Sequence, residues 1–145
     1  MKNLLFITAC AFMLAVAAFA QEKDAKQRTD MFKREVAKAD WKFLSKEGGA
    51  SYFVDSLTMK RMMNTVVVFL VKSEAEGNIE YTKNIGGCSK HIVATANRLT
   101  STLGEKSLTG GELDSPKQVF VSKGTISYSI LEYVCKNATD LELKN

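Results

Sequence analysis

The chain has 145 residues, a formal net charge of +4 and a single histidine. Its 20 Lys and Arg and 16 Asp and Glu are interspersed, which excludes the dense basic stripe that a nucleic-acid reader needs. The length suits one domain with a real core and excludes two.

The chain opens "MKNLLFITACAFMLAVAAFAQEKD": an early Lys2, an apolar run from Leu4, and the small-x-small series Ala18-Phe19-Ala20. This is the layout of a secretory signal peptide, so residues 1–20 are set apart from the fold and the mature chain is expected from Gln21. Two other readings stand beside it. An uncleaved anchor wants about 20 apolar residues and this run falls short. A lipoprotein would use Cys10 in "ITAC", which comes early in the apolar run. Membrane association is therefore expected only through lipidation, and the location is exported, either periplasmic or at the cell surface. The remaining stretch, about 125 residues, divides into a charged lead-in over 21–40, a domain over 41–137 and a tail over 138–145.

In the lead-in, "QEKDAKQRTDMFKREVAKAD", Phe32 and Val36 share a helical face, which predicts a short helix in its second half behind a flexible opening. From Trp41 the composition turns to β-branched and aromatic segments. "WKFLSKE", the break Gly48-Gly49 and "SYFVD" read as two strands. "TMKRMM" reads as a turn. "NTVVVFLVKSE" is continuously apolar from Val66 to Val71, as in a strand covered on both faces. "NIEYTKNIG" alternates Ile79, Tyr81 and Ile85 with Glu80, Thr82 and Asn84, the period of a half-buried strand. "KHIVATANRLT" is its expected partner, and such short connections favour antiparallel pairing. Ser101 to Lys117, holding Gly110-Gly111 and the one proline, reads as a loop, and "QVFVS" as a last short strand.

"KGTISYSILEYVCKN" fits a helix better than a strand, because Ser129, Glu132 and Lys136 gather in one polar arc opposite Ile126, Ile130, Tyr133 and Val134. A helix over Ile126 to Lys136 follows, with Thr125 as N-cap. The predicted fold is α+β: an antiparallel sheet of five or six strands packed on a C-terminal amphipathic helix.

The cysteine pattern adds a staple. With Cys10 in the signal segment, Cys88 and Cys135 remain, and an even pair in an exported chain is most simply one disulfide. It closes a loop of about 48 residues, worth roughly 4 kcal/mol on the chain-entropy argument. The rival reading pairs Cys88 with His91, three residues on, as nucleophile and base. On a strand, residues three apart point to opposite faces. A zinc site would need more ligands than one His and two Cys supply.

Other candidates carry two readings each. Asp55 is either a catalytic carboxylate or, as expected here, the residue that ends its strand and holds the turn through Ser56 and Leu57. Lys60, Arg61 and Met62 form a possible contact surface, since methionines adapt to irregular partners; the alternative is a solvated turn. Trp41 reads as a core anchor rather than a binding hot spot. Asn137-Ala138-Thr139 matches a glycosylation acceptor, a pattern that is uninformative here.

Trp41, "SYFVDSL" ending in Asp55-Ser56-Leu57, "NTVVVFLV", Cys88, "SKGT" at Ser122 to Thr125, and Cys135 follow one another in an order that resembles the surface-adhesin protein E-like domain of exported bacterial proteins. The resemblance spans about residues 41–137, with Lys123 where that family has a proline. It implies a small antiparallel sheet on a C-terminal helix, with Trp41, Asp55 and Thr125 as structural positions. It also implies binding to host matrix or serum proteins, and possible homodimerisation, as in the family's named member. The expectation is therefore a protein-binding module with a protein partner, no cofactor, no metal and no enzymatic activity. The alternative is a periplasmic accessory or inhibitor protein acting on another envelope protein.

Overall fold

The computed structural model describes residues 24–141. The signal-peptide reading of residues 1–20 and the possible lipidation of Cys10 lie outside that span.

A helix, α1, runs over 24–38. Nine strands and a second helix follow: β1 (Trp41–Glu47), β2 (Ala50–Asp55), β3 (Lys60–Met63), β4 (Val66–Ala75), β5 (Asn78–Gly87), β6 (Ile92–Thr102), β7 (Thr109–Glu112), β8 (Gln118–Phe120), α2 (Ile126–Asn137) and β9 (Thr139–Asp140). The sheet's main path is β1-β2-β4-β5-β6-β7, while the short strands β3, β8 and β9 lie off it; the strands that the sequence leads one to expect are β1, β2, β4, β5, β6 and β8. β3 extends the same edge of β4 that β2 occupies further along, and β8 does the same for β6 beyond β7. All pairings are antiparallel except β3 with β9.

The sheet is covered on both faces, and the continuous apolar run of β4 is the reason. Val67 and Phe69 point into a core with Val54, Met59, Ile130, Leu131 and Val134, under α2. Leu70, on the opposite face, joins Leu99 and the α1 residues Phe32 and Val36. Each such side chain taken from water contributes about 1.5–3 kcal/mol before chain entropy is set against it. α2 sits close because β5 offers no side chain beneath it: a Cβ on Gly86 would lie 2.5 Å from Leu131 Cδ1.

α2 begins at Thr125, whose hydroxyl accepts from Tyr128 N, and it runs one residue past the expected Lys136. Several expectations are corrected. The N-terminal helix is not confined to the second half of the lead-in; it occupies 24–38, because Glu35 and Arg28 pair with Lys83 and Glu112 while Phe32 and Val36 fix it to the sheet. "KRMM" is strand β3 rather than a turn, since its backbone pairs with β4. β7 occupies part of the expected loop, and β9 part of the expected tail, laced to β3 through Thr139 N to Met59 O and Leu141 N to Arg61 O.

Candidate functional site

Cys88, just after β5, and Cys135, in the last turn of α2, form a disulfide with Cα atoms 5.9 Å apart. Cys88 is thus no thiol nucleophile. His91 adopts a left-handed backbone, φ 49°, and stacks on Tyr128 with ring centroids 5.1 Å apart. The phenol of Tyr128 is pushed up by desolvation first and by the charge and hydrogen bond of Glu132 next.

Asp55 is fully buried at the end of β2. Its Oδ1 accepts from Leu57 N at 3.2 Å, as the sequence leads one to expect, and also from Asp40 N at 2.7 Å. The second bond ties the segment before β1 to the turn after β2, and Ser56 doubles it by bonding Asp40 through both backbone and side chain. Among the described residues Asp55 Oδ2 has no hydrogen-bond partner. Trp41, opposite Asp55 in the β1–β2 register, packs on the α1-side core and against Tyr81 at 5.7 Å. Trp41, Asp55 and Thr125 therefore act as structural positions.

The three expected contact residues divide between the two faces of the sheet. Arg61 points to the α2 side, where its guanidinium donates to Cys135 O at 2.8 Å and satisfies a carbonyl in the helix's last turn. Lys60 and Met62 point to the α1 side, where Lys60 Nζ donates to the Thr139 hydroxyl. There they border a groove of about 440 Å³ with Leu57, Leu141 and, on its floor, Val68 and Leu70. α1 leaves this end of the sheet open, so Leu57 is 59 % exposed, Met62 53 % and Leu141 45 %. Leu57 and Leu141 carry no signal of this role in the sequence: each is a lone apolar residue beside a strand, and only the β3–β9 pairing brings them to one place.

A second concavity, about 230 Å³, lies on the other face between the first turns of α2 and the sheet. Its walls are apolar, from Val71, Ile126 and Ile130, and its floor is polar, from Thr82, Asn84 and Thr95. These polar residues of β5 read as solvent-facing in the sequence. They face inward instead, and it is Ile85 that is exposed, at 43 %. Alternation tells that two faces differ, and the packing helices decide which is covered.

Among the described residues no three His, Cys, Asp or Glu side chains gather as a metal site, and no helix is long and apolar enough to cross a membrane. Comparison with protein-family models, curated proteins and solved structures finds no match for this chain.

Proposed function

We propose that the protein is an exported, non-enzymatic protein-binding module of the surface-adhesin protein E-like kind, and that the groove beside β3 is its contact surface. The observation that carries this reading is the cluster of Leu57, Met62 and Leu141, each about half exposed around one groove on a stapled domain. Exposed apolar side chains gathered in a concavity mark interaction surfaces, whereas scattered ones do not. The rim adds charge: Lys60 donates to a neutral hydroxyl, and Lys83 is matched by Glu35. The surface thus suits a protein segment that offers apolar side chains flanked by a carboxylate, with aromatic or aliphatic anchors filling the groove. The disulfide fits an oxidising compartment.

The test uses the exported, disulfide-bonded protein against immobilised matrix and serum proteins, beside Met62→Asp and Leu57→Asp. Both side chains are half exposed, so the variants keep the fold. Binding by the wild type, with a loss of about tenfold or more in each variant, supports the reading. Surface protease on whole cells separates the two locations: digestion is expected for an adhesin. Complete protection, with no binding to host proteins, overturns adhesion in favour of an accessory protein acting on an envelope partner.

A further inference from the structure

The α2 face of the sheet changes character along its length. Near the disulfide it is apolar, with Val54, Val67 and Phe69 under Leu131. Farther along, the registers Phe69↔Asn84↔Thr95 and Val71↔Thr82↔Arg98 set polar residues into the same inner face. A sheet face that only had to hold a helix would be stabilised by apolar side chains at these places, since a buried amide must be matched by partners to avoid a penalty.

The amide is matched in a directed way. Asn84, 5 % exposed, accepts from Thr95 Oγ1 at 2.8 Å and donates to Thr82 Oγ1 at 2.9 Å. Thr95 has then spent its proton and keeps lone pairs, while Thr82 has accepted and keeps its proton. The pair offers one acceptor and one donor to whatever lies above. At the open end Arg98 Nε meets Glu80 Oε2 at 3.3 Å, with both side chains about half exposed. The remaining Arg98 donors and the second Glu80 oxygen stay available. The β5–β6 register also shifts beside Asn84, a bulge of the sort often found next to sites.

We infer that this cavity binds a free α-amino acid whose side chain is largely apolar and ends in a hydroxyl or amide. Two opposite charges side by side match a zwitterion: the carboxylate takes Arg98 and the ammonium takes Glu80. The apolar walls, Val71 and Ile130 among them, receive the body of the side chain, and Thr82 with Thr95 receives its tip. The volume, about 230 Å³, is below that of drug-sized sites and fits a ligand of amino-acid size. This site lies on the opposite face from the β3 groove and does not depend on the protein-binding reading.

The experiment titrates L-tyrosine, L-glutamine, L-phenylalanine, tyramine and 3-(4-hydroxyphenyl)propionate into the disulfide-bonded protein, followed by amide chemical shifts. Saturable binding of L-tyrosine or L-glutamine in the millimolar range or tighter is expected, with shifts at Thr82, Asn84 and Thr95. Tyramine, lacking the carboxylate, and the propionate, lacking the ammonium, bind about tenfold more weakly than L-tyrosine. Arg98→Gln, a half-exposed change that leaves the fold intact, removes the preference for L-tyrosine over tyramine, and Thr82→Val brings L-tyrosine down to the affinity of L-phenylalanine. No saturable binding of either amino acid overturns the inference. So does an unchanged preference in Arg98→Gln.

Discussion

The two helices cover the same sheet and are held in different ways. α2 is fastened: a disulfide joins its last turn to the end of β5, Thr125 caps its start, Arg61 bonds a carbonyl near its end, and Gly86 lets it sit close. α1 is clipped on by Phe32 and Val36, with ion pairs to Lys83 and Glu112 whose side chains are all about a third or more exposed. Surface ion pairs of that kind contribute little. The contrast teaches that a three-layer domain can have one layer that is part of its foundation and another whose attachment rests on a few apolar side chains.

The sharpest way to break the contrast is to remove the staple. Cys88→Ser with Cys135→Ser is expected to cost roughly 4 kcal/mol, read as a lower midpoint in urea. The same change should increase amide exchange in α2 far more than in α1. A loss spread evenly over both helices would show that the staple fastens the whole domain. Next, Phe32→Ala empties the α1 anchor and is expected to cost about 3 kcal/mol. Hydrogen exchange should then show α1 opening while α2 keeps its protection. Smaller again, Thr125→Ala removes the cap and costs about 1 kcal/mol in thermal or urea unfolding.

The smallest effect sharpens the contrast by pH. The phenol of Tyr81, on the α1 side, is held above its ordinary value of 10.0 by burial first and by the charge of Glu74 second. Folding therefore favours its neutral form. Its contribution is intact below pH 10.0 and is lost as the pH rises through the higher folded value. Tyr81→Phe should flatten part of the alkaline fall in melting temperature, and what remains should include Tyr128 on the α2 side, whose phenol is also raised.

Much of this architecture was legible in the chain, and the reasons differ by segment. Val66 to Val71 announced two covered faces because a strand exposed on either side would have interrupted its apolar run, and Phe32 with Val36 marked a helix, but only the structure shows that this helix is the layer covering one of them. Cys88 and Cys135 were readable as a pair, and Thr125 as a cap, because each rests on local chemistry or simple counting. β3, β7 and β9 were not readable. Lys60 to Met63 is half charged, Thr109 to Glu112 carries two glycines, and Thr139–Asp140 is only two residues long. Such segments become strands only because a longer neighbour supplies a ladder. The sites were less legible still. Met62 and Lys60 were legible as surface, but Arg61 beside them turned to the helix instead, and the inward face of Thr82 and Asn84 depended on where α2 lies.

The disulfide also decides how the molecule would respond to force. A pull applied at both ends of the chain passes from Cys88 straight to Cys135, and the sequence separation of 47 between them is bypassed. That span contains β6, β7, β8 and most of α2, so roughly 160 Å of contour is withheld from extension while the bond is intact. The load falls on α1, on β1 to β5 and on β9, and a tether made from this domain would lengthen in two instalments, the second one available only after reduction.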